Sequence, residues 1–166
     1  MTLDRIPAAS RVFLDSTIFI YHATGSSNQC RALLERCETG DVKGTTSAVV
    51  LAEVAHRLMM IEAVAAGLAT AGNVGKKLRA RPELVRRLRI YQEQVERIPL
   101  MGVDVAPLEL GALVRSADLR RQHGLFVNDS LVVAAAREAR VDVLASADRD
   151  FRRVKDLHLS WPGDLV

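Results

Sequence analysis

Short apolar segments alternate with longer helical segments along this chain, and this alternation restricts its fold more than any other feature. Val12–Leu14 is too short for a helix and is flanked by polar residues, which is typical of a buried strand. Residues 42–46, Gly102–Leu108 and the segment from Val141 have the same character, and "LHLSW" predicts a fifth strand. Alternating strands and helices form a parallel sheet covered on both faces. We therefore expect an α/β fold with a central parallel sheet of four or five strands flanked by α-helices.

Residues at the ends of the predicted helices fit this scheme. Ser16 or Thr17 can cap a short helix after the first strand, and Ser47 can cap the long helix after the second strand. Gly40 and Gly124 are placed to end two further helices, because glycine readily adopts the left-handed backbone found there.

The middle of the chain, from about Ala66 to Pro99, contains no strand signal, and we expect a helical insertion interrupted by a Gly72–Gly75 turn and by Pro82. Its segment "KKLRARPELVRRLR" holds seven cations and one acid, although the net charge of the whole chain is only +3. The segment is either a solvated helix surface or a surface that binds nucleic-acid phosphates. The candidate RNA contacts are Lys76, Lys77, Arg86, Arg87 and Arg89.

Composition narrows the class of protein. The chain has 166 residues, 49% of them hydrophobic, which suits one core, and we expect one domain over residues 1–166. No apolar stretch reaches the roughly 18 residues of a membrane span, and the N-terminus does not resemble a signal peptide, so we expect a cytoplasmic protein. Cys30 and Cys37 fit buried thiols on a helix better than a disulfide or a metal site.

Four carboxylates lie close to predicted strand ends or helix starts. They are Asp15, Glu53, Asp129 and Asp148. Each has an ordinary explanation alone, as an acid at a helix start, on an exposed helix stripe or in a loop. Ligands of parallel sheets, however, gather at the carboxyl ends of the strands, where all four are expected. Two carboxylates about 4 Å apart repel by roughly 4 kcal/mol at an effective dielectric of about 20, so a converging set requires cations or bound protons.

A hard divalent cation would relieve this repulsion. Oxygen donors without a supporting Cys or His cluster suit Mg²⁺ or Mn²⁺ and disfavour zinc. Such an ion can activate a bound water and stabilise charge on a phosphoryl group. Together with the basic segment, the acids indicate hydrolysis of phosphodiester bonds.

The four acids and their surroundings resemble the PIN-domain ribonucleases and, among them, the VapC-like toxins of toxin–antitoxin modules. The matching motifs are "VFLDSTIFIY" at Asp15, "TTSAVVLAEVAHRL" at Glu53, "NDSLVVAAA" at Asp129 and "LASADRDF" at Asp148. The resemblance extends from Val12 to Phe151. Thr17 stands where the family often has Asn, and Ser146 stands where it usually has Thr.

The resemblance implies a Mg²⁺- or Mn²⁺-dependent endoribonuclease whose catalytic residues are the four acids. It implies Asp15, Asp129 and Asp148 as metal ligands, and Glu53 as a ligand of a second ion or a residue that positions water. Thr17 and Ser146 would support the ligands through hydrogen bonds. It also implies an RNA substrate, a homodimer and a small antitoxin protein that blocks the acids.

Other functions fit parts of the pattern. Phosphotransferases that form an aspartyl phosphate also begin with an acid at a strand end, but they need a second acid where this chain has Thr17. A PIN-like module can bind RNA or protein without cutting, and a nuclease of this kind can mature RNA without being a toxin. The stretch "GNVGKK" lacks the spacing and the hydroxyl of a nucleotide-binding loop, and no strand precedes it.

Overall fold

A computed structural model describes residues 1–165 and confirms the alternation of strands and helices. The strands are β1 (Arg11–Leu14), β2 (Lys43–Ser47), β3 (Val103–Ala106), β4 (Val143–Ala145) and β5 (Leu159–Ser160). The helices are α1 (Ser16–Ala23), α2 (Asn28–Glu38), α3 (Ala48–Ala65), α4 (Val74–Ala80), α5 (Pro82–Val85), α6 (Ile90–Arg97), α7 (Leu110–His123) and α8 (Val127–Glu138). None of the helices within residues 1–165 has the length and apolar character needed to cross a bilayer.

The five strands form one parallel sheet in the order β3-β2-β1-β4-β5. Strand β1 lies at the centre, with Phe13 beside Thr45 of β2 and Leu144 of β4. After β3 the chain returns to the other side of β1, so the strand order reverses between β1 and β4. A crevice forms where the order of a parallel sheet reverses, and here it opens at the residues that follow β1 and β4.

Strand β1 is buried because helices cover both faces of the sheet. Val12, Phe13 and Leu14 are fully inaccessible to solvent, as expected for a continuous apolar run in a central parallel strand. The hydroxyl of Thr46 in β2 donates to the carbonyl of Leu14 at 2.8 Å. This bond ties the carboxyl ends of two neighbouring strands together, which makes that end of the sheet a rigid support for side chains.

The middle of the chain forms a helical insertion, as expected, and packs through a small core of its own. That core contains Ala63, Val74, Leu78, Leu84 and Leu88. The carboxylate of Glu62 on α3 accepts hydrogen bonds from the backbone N–H groups of Arg89 and Tyr91, at 2.9 and 2.8 Å. Helix α6 is thereby fixed to α3. The predicted turn is shorter than expected, since Gly75 already lies inside α4, whereas Pro82 begins α5 as a boundary residue.

Several predicted helix ends are confirmed and one is wrong. Ser47 caps α3 by accepting from the Val50 N–H, and Gly40 and Gly124 have the left-handed backbone that ends α2 and α7. The cap of α1, however, is Asp15 and neither Ser16 nor Thr17. Strand β1 ends one residue before the helix, so Asp15 has the extended backbone that a capping residue requires.

Strand β4 begins two residues later than predicted, and a side-chain contact accounts for the difference. The N–H of Arg11 donates to the carboxylate of Asp142 at 2.8 Å, and the N–H of Asp142 donates back to the carbonyl of Arg11. Asp142 therefore binds Arg11 at the start of β1 and lies outside the paired residues of β4. Cys30 and Cys37 are buried free thiols, as predicted, and burial raises the pKa of each to about 11.

Candidate active site

Asp15 lies at the carboxyl end of the central strand and is held by two hydroxyl groups. Its backbone N–H donates to the carbonyl of Ala145 at 3.0 Å, which continues the pairing of β1 with β4. The residue is 4% exposed, and its Oδ2 atom accepts from Thr17 Oγ1 at 2.9 Å and from Ser146 Oγ at 2.6 Å. Bonds to a charged acceptor are stronger than bonds between neutral groups, so the position of Asp15 is well defined.

The same two hydroxyls organise the loop after β4. Thr17 Oγ1 accepts from the N–H of Ala147 at 3.0 Å, and Ser146 Oγ accepts from the N–H of Asp148 at 3.0 Å. Asp148 Oδ1 in turn accepts from the N–H of Asp150 at 2.8 Å. Asp15 and Asp148 are therefore linked through a continuous set of hydrogen bonds across the crevice between β1 and β4.

Asp129 is presented by the first turn of α8, and the packing of α7 against α8 fixes that turn. The next residue, Ser130, is fully buried, and its hydroxyl donates to Val127 O at 2.7 Å and accepts from Arg120 of α7 at 3.0 Å. Burial raises the pKa of the Asp129 carboxyl, and the nearby charges of Asp148 and Asp15 raise it further. Asp129 therefore lies close enough to the acids at the two strand ends for their charges to act on it.

Glu53 approaches the same region from the second turn of α3. Burial raises the pKa of its carboxyl first, and the charge of Asp15 adds to the effect. The guanidinium of Arg57 lowers the pKa of Glu53, and the charge of Asp129 adds to the increase. The four acids predicted from the sequence thus come from four separate segments, and Asp15 acts electrostatically on both Glu53 and Asp129.

The acids are grouped, but they do not form a compact set of metal ligands. Within residues 1–165, no three His, Cys, Asp or Glu side chains are close enough to hold an ion together. The donor set nevertheless matches a hard divalent cation, since it consists of carboxylate oxygens whose mutual repulsion such a cation would relieve.

Two open grooves adjoin the acids and share His56 and Arg57. One, of about 730 Å³, is lined by Glu53 and by Asn128 of α8. The other, of about 790 Å³, runs from Thr17 along α3 to the insertion. His56 and Arg57 are exposed between the grooves. In the sequence they share a polar stripe with Glu53, which is equally typical of a solvated helix face, so no signal distinguished them as groove residues.

The structure brings only part of the basic segment to this site. Lys76 lines the second groove together with Thr17. Arg86, Arg87 and Arg89 are exposed on the insertion and form no ion pair within the described chain, but they line neither groove. A role of these arginines in RNA binding stays a prediction.

A model of the PIN domain matches residues 12–157, a range that begins in β1 and contains all four acids. The chain belongs to the PIN-domain family. The resemblance found in the sequence is thereby confirmed. This PIN domain is similar to ribonuclease VapC2 of Methanocaldococcus jannaschii, with 22% identity over 152 residues that cover 90% of this chain and 93% of that protein.

Solved structures show the same fold. VapBC2 from Rickettsia felis, bound to a DNA fragment from its promoter, matches with a TM-score of 0.59, 17% identity and coverage of 91% of this chain and 98% of that chain. VapC20 from Mycobacterium tuberculosis, a toxin that cleaves the sarcin-ricin loop, matches with a TM-score of 0.57, 15% identity and coverage of 86% and 94%. At these identities the likeness establishes the shared PIN architecture, with a parallel sheet flanked by helices.

Proposed function

We propose that this PIN domain is a divalent-metal-dependent endoribonuclease that acts in the cytoplasm as the toxin of a toxin–antitoxin module. The observation that carries the proposal is the grouping of carboxylates from four segments, in which burial and then the neighbouring acids raise the pKa values of Glu53 and Asp129. Grouped acids with raised pKa values are typical of functional sites. We further propose that residues 1–166 form one nuclease unit, with the insertion as its basic arm.

Each acid has a proposed part in the reaction. Asp15, Asp129 and Asp148 would hold Mg²⁺ or Mn²⁺, which requires their carboxylates to come closer together than they lie here, and Glu53 would either bind a second ion or help to position the attacking water. When bound, the ion activates water and stabilises charge that builds on the phosphoryl group. The hydroxyls of Thr17 and Ser146 hold Asp15 in place, which a positioned ligand requires.

The proposed substrate is RNA, held mainly by its phosphates. Arg57 and Lys76 place positive charge along the grooves beside the acids, and Arg86, Arg87 and Arg89 extend it over the insertion. Neither groove contains a group of stacked aromatic rings, since Tyr21 is the one Phe, Tyr or Trp residue lining them and His56 is the one histidine. Backbone charge and RNA shape would then contribute more to recognition than stacked bases.

The deciding experiment separates cutting from binding. The purified chain, freed of copurifying protein, is incubated with total cellular RNA in Mg²⁺, in Mn²⁺ and in EDTA. We expect cleavage that depends on the metal and is lost in Asp15→Asn and Asp129→Asn. Asp104→Asn is the matched control, because Asp104 is an exposed strand acid on β3. RNA that binds but stays intact in every condition would contradict the nuclease and favour a non-catalytic binding module.

A protein antitoxin is the proposed partner. Structures similar to this one include a toxin–antitoxin complex from Klebsiella pneumoniae, with a TM-score of 0.53 and 20% identity. The 790 Å³ groove has an apolar floor that includes Ile20, Met60 and Val64, with Arg57 and Lys76 at its edge. It suits an antitoxin segment that carries apolar and acidic side chains, which would cover Thr17 beside Asp15.

Inhibition tests this site. Ile61 lines the groove and is exposed, so Ile61→Glu places a charge there with little risk to the fold. We expect this variant to need more of the copurifying antitoxin than the wild type for half-inhibition, with the cutting rate of each protein measured relative to its own uninhibited rate. Leu100→Glu, at an exposed apolar position that does not line the groove, is the control. Equal inhibition of both variants would place the antitoxin elsewhere.

A second copy of the chain is the proposed partner for the apolar face of α7. Leu110, Leu113 and Val114 share one side of this helix, and all three are exposed. Apolar side chains grouped on a surface mark association sites. Sedimentation velocity should show a dimer for the wild type and a monomer for the double variant Leu110→Lys, Val114→Lys, while Leu100→Lys stays dimeric. A monomeric wild-type protein would contradict this assignment.

A further inference from the structure

A small recess lies beside Asp148 and is separate from the two grooves. It has a volume of about 120 Å³ and lies between the loop after β4 and the residues that follow β5. Its lining includes Ser146, Asp148, Arg149, Arg152 and Trp161. Ser146 also donates to Asp15, so the recess shares a wall with the proposed active site.

Two guanidinium groups of the recess are free to bind a ligand. Arg149 and Arg152 are exposed, and neither forms an ion pair with any carboxylate in residues 1–165. Their neighbour Arg153 is different, because it pairs with Asp150 at 2.9 Å and also donates to the carbonyl of Gly124. The recess thus has two unpaired positive charges and one negative charge, that of Asp148. The Asp148 carboxylate already accepts a hydrogen bond from the N–H of Asp150. The recess is therefore suited to an anion.

The aromatic side of the recess offers a surface for a base. The guanidinium carbon of Arg152 lies 5.1 Å from the centre of the Trp161 ring. The backbone of Trp161 is held on both sides, since its N–H donates to Met1 O and its carbonyl accepts from Leu3 N–H, each at 3.1 Å. A guanidinium plane and an aromatic ring are both surfaces on which RNA bases stack.

Size limits how much of a ligand enters. A recess of about 120 Å³ has room for the phosphate group of a nucleotide, and the base would lie at its rim. We propose that this recess binds one nucleotide of the RNA next to the bond that is cut, with the phosphate between Arg149 and Arg152 and the base stacked on the Arg152–Trp161 pair. This inference rests on the proposed ribonuclease function.

Trp161 is the only tryptophan of the chain, so its fluorescence reports on this recess alone. The test titrates the full chain in EDTA with each nucleoside 5′-monophosphate and, separately, with inorganic phosphate. We expect saturable quenching by at least one nucleotide and affinity about tenfold lower, or about 1.4 kcal/mol, in Arg149→Ala. Arg152→Lys, which keeps the charge and loses the plane, should bind the nucleotides more weakly than the wild type does and inorganic phosphate about equally well. Lys155→Ala removes a nearby exposed charge outside the recess and should bind as the wild type does.

Absence of quenching by all four nucleotides would overturn the proposal. Inorganic phosphate that binds as tightly as the nucleotides would also overturn it, because the base would then contribute nothing. Since EDTA prevents metal-dependent cutting, the result does not depend on catalysis. A chain that cuts RNA without binding nucleotides at Trp161 refutes the recess alone, whereas a chain that shows the expected quenching but no cutting refutes the nuclease and keeps the nucleotide site.

Discussion

Ser146 and Ser160 form a matched pair for testing whether the hydroxyl network positions the acids. Both serines are fully buried, and they lie on paired strands, with the N–H of Ser146 donating to the carbonyl of Ser160 at 2.9 Å. The hydroxyl of Ser146 donates to Asp15 at 2.6 Å and accepts from the N–H of Asp148. The hydroxyl of Ser160 has no hydrogen-bond partner in the described chain. The same substitution, Ser→Ala, should therefore have different effects at the two positions.

The magnitude follows from the partners. A hydrogen bond to a charged group contributes about 1.5–3 kcal/mol to the free energy of unfolding, and Ser146→Ala loses one such bond. For a chain of this size 1 kcal/mol corresponds to about 2–4 °C in Tm, so we expect a decrease of about 3–12 °C. Ser160→Ala removes a buried hydroxyl that is not satisfied, and its stability should equal or slightly exceed that of the wild type.

Thermal unfolding and RNA cleavage are measured on both variants. Ser146→Ala should also cut about 10- to 100-fold more slowly, which is the usual effect of removing a partner that orients a metal ligand. Ser160→Ala should cut as fast as the wild type. Equal Tm values for the two variants, or wild-type cleavage by Ser146→Ala, would refute the positioning role of this hydroxyl.

Three further results are expected. The folded protein holds the protons of Glu53 and Asp129 more tightly than the unfolded chain does. Their stabilising contribution is therefore present below about pH 4 and is lost as the pH rises through their raised pKa values. In metal-free thermal scans, Asp129→Asn should lose less stability than the wild type as the pH rises. Mg²⁺ at about 100 times its Kd should raise the free energy of unfolding by about 2.7 kcal/mol in the wild type and by much less in Asp15→Asn, as measured by Tm in a Mg²⁺ titration. The triple replacement of Arg86, Arg87 and Arg89 by Ala should weaken RNA binding and lower the salt slope by about 0.7 for each phosphate that the protein no longer neutralises, whereas an unchanged slope would mark a solvated surface.

The sequence was sufficient to predict the sheet and to place the four acids near its carboxyl edge. Both predictions depend on local patterns, namely the apolar run of β1 and the positions of acids relative to strand ends and helix starts. The cap of α1 was assigned to the wrong residue because three polar residues in a row, Asp15, Ser16 and Thr17, can each cap a helix. Only the exact end of the strand, which pairing with β4 decides, selects among them.

Contacts between distant segments could not be predicted. Arg152 meets Trp161 because β5 returns beside β4, and no local pattern indicates that contact. The spacing of the acids is equally hidden, since it depends on how α3 and α8 pack on the sheet. The sequence predicted that the acids converge, and the structure adds that no three of them in residues 1–165 lie close enough to hold an ion together.

The four acids divide into two pairs with different supports. Asp15 and Asp148 follow central strands and are linked by hydroxyl and backbone hydrogen bonds, whereas Glu53 and Asp129 project from helices and carry raised pKa values. Replacing a support of the first pair removes hydrogen bonds, so it should destabilise the fold. Replacing an acid of the second pair removes the cost of burying its charge and the repulsion from neighbouring acids in the metal-free protein, so Asp129→Asn should stabilise the fold near neutral pH. Both changes should still impair cutting, because the proposed chemistry needs Asp15 and Asp148 held in position and also needs the charges of Glu53 and Asp129. Loss of activity with opposite changes in Tm would therefore separate a functional site from a group of acids that merely share a surface.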